Sequence, residues 1–141
     1  MEHRKIANMK TCVLYFSRTG NTKRMAEVIA ALRKASVFDI LASEPSIAEK
    51  YDLLILGTPV EGFRPAKETL AFAKRLPKAE DKKAILFCTH KLWKGSTFKV
   101  LENELSSKGY NVILTVSKKG MNPEQPADFT DELNKIQHAL A

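Results

Sequence analysis

The hexapeptide Ser17-Arg18-Thr19-Gly20-Asn21-Thr22 concentrates the polar chemistry of this chain. Hydroxyls at 17, 19 and 22, with the carboxamide of Asn21, can donate to the oxygens of an anion. Gly20 allows a tight turn and a close approach of backbone to ligand. An apolar run ends just before the hexapeptide and a helical pattern opens from it. Free N–H groups and the positive end of a helix dipole therefore complete a phosphate cradle. A Ser/Thr-rich helix cap with a turn glycine is the plainer alternative, but three spaced hydroxyls in a strand-to-helix context favour phosphate. Arg18 either reaches that phosphate or lies on the surface.

Two further loops carry polar and aromatic groups. Gly57-Thr58-Pro59-Val60-Glu61-Gly62-Phe63-Arg64-Pro65 is punctuated by glycine and proline, as an ordinary turn would also be. Cys88-Thr89-His90-Lys91-Leu92-Trp93-Lys94-Gly95-Ser96 holds the single tryptophan of the chain, placed either to stack on a ligand ring or to cap the core. His90 could hydrogen-bond a ligand or pass a proton, and a solvated loop histidine is the competing reading.

Short apolar strands alternating with amphipathic helices position these loops. Thr11 to Phe16 and Leu53 to Gly57 are near-continuous apolar runs of the kind buried on both faces of a parallel sheet. Ser36 to Leu41, Lys83 to Cys88 and Val112 to Val116 supply three more strands. Helices are expected over Thr22 to Lys34, Pro65 to Leu76, Ser96 to Ser107 and from Pro126 onward, with a short helical turn at Pro45 to Lys50. Gly109 is placed to end the third long helix in a left-handed cap. Right-handed crossovers leave few ways to wind five strands and five helices in alternation. The expected class is α/β, a three-layer sandwich with a five-stranded parallel sheet in the order 2-1-3-4-5. Its ligand site lies beyond the carboxyl ends of strands 1, 3 and 4.

The hexapeptide resembles the FMN-phosphate signature of the flavodoxin family, Ser/Thr-x-Thr-Gly-Asn-Thr between strand 1 and helix 1, and the chain resembles the short-chain type from about Lys10 to its end. The resemblance implies a flavodoxin-like fold with FMN as cofactor, its phosphate on Ser17, Arg18, Thr19, Gly20, Asn21 and Thr22. Thr58, Pro59, Val60, Glu61 and Gly62 would line one side of the flavin, with Phe63 as the stacking face because Glu61 stands where an aromatic is frequent. A glycine in this loop allows the peptide flip by which family members meet flavin N5 as it takes up a proton. Thr89, His90 and Trp93 would close the other side, in a loop less glycine-rich than is usual. The flavin carries the chemistry, so no side chain is expected to be catalytic.

The resemblance further implies a redox protein that passes electrons between FMN and a protein partner or a small acceptor such as a quinone. The alternatives are an oxidoreductase of the quinone or protoporphyrinogen type and a binding module that keeps the fold without the flavin. Flavodoxins are characteristically acidic, whereas this chain has 23 Lys and Arg against 16 Asp and Glu, a formal charge of +7. Arg64, Lys67, Lys91 and Lys94 lie in or beside the flavin loops, and positive charge there stabilises a reduced, anionic flavin. A raised reduction potential and an acidic redox partner follow as expectations.

Composition sets the remaining bounds. At 141 residues the chain fits one domain, expected over 10–141 behind a frayed tail at 1–9. No apolar run is long enough to span a bilayer and no signal-type stretch follows the amino terminus, so a cytoplasmic location is expected. Cys12 and Cys88 sit in apolar stretches without metal-like spacing and read as reduced, buried thiols. The basic residues are scattered, which gives nucleic-acid binding no specific support. Gly-x-Gly-x-x-Gly and Walker patterns are absent. A receiver domain would share the topology, but Ser17-Arg18 and Gly57-Thr58 stand where its acidic residues must be, and Lys118 is its one match.

Overall fold

Three apolar runs form the centre of the sheet because each is buried on both faces. They are β1 (Thr11–Tyr15), the first part of β3 (Leu53–Glu61) and the middle of β5 (Lys82–His90). Their flanks are β2 (Ser36–Asp39) and β6 (Tyr110–Lys119). The computed structural model describes residues 9–122 and 124–141. The expected amino-terminal tail lies outside the described residues apart from Met9, which packs against one face of the core.

The strands run β2-β1-β3-β5-β6, with parallel pairing throughout. This is the expected winding once a short additional strand, β4 (Arg64–Pro65), is set aside; it pairs antiparallel with the end of β3. Alternate residues feed two cores, as period-2 side-chain alternation requires. Cys12, Leu14, Leu54, Leu56 and Leu86 face α2 (Lys67–Lys74) and α3 (Thr97–Ser107), which contribute Phe72, Ala73, Leu101 and Leu105. Val13, Tyr15, Ile55, Ile85 and Phe87 face α1 (Asn21–Arg33) and α4 (Thr130–Ala139), which contribute Met25, Ile29 and Ile136. Each large apolar side chain so enclosed is worth about 1.5–3 kcal/mol relative to exposure.

Several boundaries differ from the sequence reading, each for a local reason. β2 stops at Asp39 because that carboxylate accepts from the Leu41 amide at 2.9 Å and turns Ile40–Ala42 into a 3₁₀ turn. Pro45–Lys50 is likewise 3₁₀, so four α-helices cover the sheet where five helices are expected. α2 begins at Lys67 because Arg64 and Pro65 pair with Glu61 and Val60. α4 begins at Thr130, behind Asp128, whose carboxylate accepts from the Thr130 amide at 2.9 Å. Gly109 takes the expected left-handed conformation at φ 92°, and a Cβ there would meet the Ala79 carbonyl at 1.7 Å. Among the described residues no helix is long and apolar enough to cross a membrane.

The register fixes where the site lies. Tyr15 of β1, Gly57 of β3, Phe87 of β5 and Val116 of β6 stand side by side. The loops that follow β1, β3, β5 and β6 therefore all emerge at one edge of the sheet, its carboxyl end.

Candidate functional site

Beyond that edge the Phe16 amide donates to the Gly57 carbonyl at 3.2 Å, which anchors the start of the hexapeptide to β3. The Ser17 hydroxyl oxygen accepts from the Gly20 amide at 3.1 Å and closes the turn, leaving its own proton to be donated. Gly20 has φ 99° with open space around it, so glycine is required by backbone conformation. The hydrogen-bond ladder of α1 starts with the Arg24 amide donating to Gly20 at 3.0 Å. The amides of Asn21, Thr22 and Lys23 precede that first bond and form the free N–H end of the helix.

The three loops enclose a cavity of about 320 Å³. Of the predicted site residues, Arg18, Thr19, Asn21, Pro59, Val60, Glu61, Gly62, Phe63, Thr89, His90 and Trp93 line it. Ser17, Gly20, Thr22 and Thr58 do not. Ser17 and Gly20 shape the turn beneath. Thr22 is sealed at 1% exposure with its hydroxyl 2.8 Å from that of Thr89, tying α1 to β5. Thr58 is fully buried; its hydroxyl donates to the Pro59 carbonyl and accepts from the Ala66 amide, which holds the β3–β4 turn. A hydroxyl at that position therefore serves the fold directly.

The second loop is a hairpin. β3 continues to Glu61, and Gly62 and Phe63 make the two-residue turn with φ 60° and 62°. Positive φ at both central residues matches the twist of the paired strands. For phenylalanine this conformation is strained, at roughly 1–2 kcal/mol. A latch holds it: the Phe63 carbonyl accepts from the Ser96 amide at 2.9 Å and the Ser96 hydroxyl at 3.3 Å. Gly95, at φ 58°, permits the contact, since a Cβ there would lie 2.2 Å from that carbonyl.

The latch brings Phe63 and Trp93 together, with ring centroids 5.7 Å apart and tilted by 49°. A planar ring sandwiched between two others separates them by about 7–8 Å, twice a carbon–carbon contact distance. As they stand, the two aromatics form one wall and do not flank a ligand from opposite sides.

Arg18 has a definite role. Its Nη2 lies 2.9 Å from Glu61 and 2.9 Å from Glu68, its Nε also pairs with Glu61, and its guanidinium lies 4.8 Å from the Phe16 ring centroid. The cluster joins the hexapeptide, the hairpin and the first turn of α2. Hydrogen bonds to Glu61 and then Glu68 raise the guanidinium pKa further. The Glu68 carboxyl is lowered, first by its own backbone amide and then by Arg18. Nη1 makes no hydrogen bond within the described residues and remains available to an anion.

Two polar atoms on the cavity wall lack partners among the described residues. Asn21 donates through Nδ2 to the Met121 carbonyl at 3.2 Å, which leaves its enclosed Oδ1 unmatched. His90 has an enclosed, unpartnered Nδ1. Its pKa is lowered, first by burial and then by Lys94 and Lys119, so the imidazole is neutral at pH 7. Met121, beyond β6, also lines the cavity and falls outside the sequence reading, as do Lys91 and Leu92 as lining residues and Glu68 as a partner of Arg18. The Gly-Met-Asn-Pro turn signal after the last strand is the trace of Met121 in the sequence.

A parallel sheet in this order, with an anion cradle after its first strand and a cavity between the next two, defines a flavodoxin-type domain. The chain belongs to that family: the flavodoxin domain profile matches residues 12–125. It is 31% identical to an uncharacterized protein of Methanocaldococcus jannaschii over 115 residues, 79% of this chain and 76% of that one. Among solved structures, oxidised Flavodoxin 1 from Bacillus cereus superposes with TM-score 0.72 at 27% identity, covering 92% of this chain and 94% of that one. A flavoprotein of Lactobacillus acidophilus solved in complex with FMN has TM-score 0.57 and 21% identity, over 77% and 93% of the two chains.

Proposed function

We propose that the protein binds FMN, with the phosphate on the hexapeptide and the flavin in the adjoining cavity, and acts as an electron-transfer flavoprotein of the cytoplasm. The observation that carries this reading is the cradle at the start of α1. Among the described residues it combines three amides ahead of the helical ladder, a Ser17 proton free to donate and an unused Arg18 Nη1. The cavity beside it falls in the size range of small-molecule sites, and its walls mix aromatic rings with a few unmatched polar atoms. FMN fits this donor set because its phosphate needs N–H and O–H donors and its ring needs apolar walls with isolated polar contacts.

Bound FMN would supply one- or two-electron transfer. The chain's own residues bind and tune. Ser17, Thr19 and the first amides of α1 hold the anion, and the Thr22–Thr89 pair keeps the cradle fixed against β5. Arg18 braces the cradle against the Glu61 hairpin. Gly62, at the hairpin tip, has the conformational freedom to reorient a peptide toward the ring. Lys94 and Lys119, which disfavour a cationic His90, favour the reduced, anionic form of a neighbouring ligand. The reduction potential is accordingly raised relative to an acidic carrier, with an acidic protein or a small molecule as the exchange partner.

Titration with FMN, riboflavin and FAD tests this reading. Binding of FMN at least about a hundredfold tighter than riboflavin, about 2.7 kcal/mol, is expected for a working phosphate site. Equal affinities would show that the hexapeptide is only a helix cap. No flavin binding would leave a flavin-free module on the same fold.

A further inference from the structure

Three of the five large hydrophobic side chains that stand exposed among the described residues gather at the mouth of the cavity. They are Phe63 at 48%, Leu92 at 76% and Trp93 at 63% exposure. Scattered single apolar residues are ordinary, whereas a contiguous group beside a site is not. This one is built rigidly. Phe63 is held at φ 62°, its carbonyl takes two hydrogen bonds from Ser96, and Gly95 allows that contact. A strained aromatic that is left half exposed has no folding reason to be there, and strain of this kind is kept where the surroundings and a use enforce it. Rigid aromatics offer contact area with little ordering entropy on binding.

Charge gives the patch its sign. Among the described residues Arg64, Lys91, Lys94 and Lys119 have no carboxylate partner, and the nearby Glu61 and Glu68 both pair with Arg18. Two carboxylates share one guanidinium there, which leaves one negative charge against four unpaired cations, so the apolar patch has a net positive rim.

We propose that this face docks a small redox protein that carries acidic side chains around its own electron-transfer edge. The inference rests on the FMN reading and names the partner class for that site. An apolar centre of three residues suits a small, transient contact, and opposite rims steer the encounter and fix orientation. Docking here covers the cavity mouth and so gives electrons a short path. A single-stranded nucleic acid fits less well, because Phe63 and Trp93 touch at a tilt and offer no successive parallel platforms for bases.

The test is titration of the protein, with and without FMN, against two probes: an acidic [2Fe–2S] ferredoxin and a basic cytochrome c. Binding is read by calorimetry and by the one indole N–H resonance, which belongs to Trp93. Raising ionic strength from about 0.01 to about 1 M shortens the screening length from about 30 to about 3 Å and should weaken ferredoxin binding at least tenfold. Arg64→Glu with Lys94→Glu, at two rim positions that do not line the cavity, should weaken it at least tenfold at low salt in the FMN-free protein, where no change at the flavin can contribute. Leu92→Ser should weaken it at low and high salt alike. In the FMN-loaded protein each reduced ferredoxin gives one electron, so two are oxidised per fully reduced flavin, with protons drawn from solvent. The proposal is overturned by equal or tighter binding of cytochrome c, by salt-independent ferredoxin binding, by an unmoved indole resonance, or by displacement of ferredoxin by a single-stranded oligonucleotide. Because docking is also read without FMN, a failure of flavin binding removes the functional reading without being mistaken for a failure of the surface.

Discussion

Adding one methyl group at Gly57 should damage both the core and the site. Gly57 lies in β3 between Tyr15 and Phe87, and a Cβ placed there would meet Cζ, Cε2 and Cε1 of Phe87 at 2.0, 2.3 and 2.5 Å. Carbon atoms rest at about 3.5–4.0 Å, so the ring would have to retreat by about 1.5 Å. Phe87 is fully buried in a close-packed layer with nowhere to go. Overpacking by a methyl group costs about 1–3 kcal/mol, and a rigid ring with no exit places Gly57→Ala near about 3 kcal/mol. For a domain of this size that is a fall in Tm of roughly 10–15 °C. Phe87→Leu removes the ring atoms that clash. The double variant should be less destabilised than the sum of the two single changes, with a coupling of at least about 1 kcal/mol. Urea denaturation of the four proteins measures the cycle. The Gly57 carbonyl also receives the Phe16 amide, so FMN affinity should fall with Gly57→Ala and recover in the double variant. A Gly57→Ala protein within about 0.5 kcal/mol of the parent, or a strictly additive cycle, would refute the argument.

Other consequences are local. Thr22→Val strands the Thr89 hydroxyl at 6% exposure and should cost about 1–2 kcal/mol in urea denaturation, with Thr22→Ser recovering most of it. His90 resists protonation when folded, so between its lowered pKa and the ordinary value of 6.5 the unfolded chain holds more protons. Its contribution to stability is therefore complete above pH 6.5 and is lost as pH falls below it; His90→Gln should flatten that part of the profile of denaturation midpoint against pH. Arg18→Gln should let the Glu68 carboxyl titrate higher, part of the way to its usual range because its own backbone amide still holds it down. Carbon NMR reads that shift, and faster amide exchange at Gly62 and Phe63 would report the loosened hairpin.

The legible features were those written into contiguous residues. β1, β3 and β5 announced themselves as apolar runs, and the hexapeptide carried its hydroxyls and glycine at neighbouring positions. What could not be read depends on reach across the fold. The Arg18–Glu61 pair spans 43 residues and Asn21–Met121 spans 100, so no local pattern signals either. The hairpin was hidden by composition, because Glu61-Gly62-Phe63-Arg64 carries phenylalanine where a turn of this kind favours asparagine or glycine. The departure from the family loop at Glu61 has its physical reason only in space: a carboxylate there meets Arg18 from the hexapeptide.

The same charges underlie two expectations that otherwise look separate. Burial lowers the His90 pKa first, and Lys94 and Lys119 push it down further, so charge reversal at either lysine is felt at His90. A field that disfavours an imidazolium there favours a reduced, anionic ligand in the same place, and it extends outward to the rim that would meet an acidic partner. Reversing charge at Lys94 must therefore act three ways at once. It should raise the His90 pKa, lower the flavin reduction potential and weaken ferredoxin binding, all in one protein. Proton NMR of His90, potentiometry of the FMN-loaded protein and calorimetry read the three. If the potential falls while the His90 pKa stays put, the two groups do not share a field, and the electrostatic account proposed for the potential is wrong.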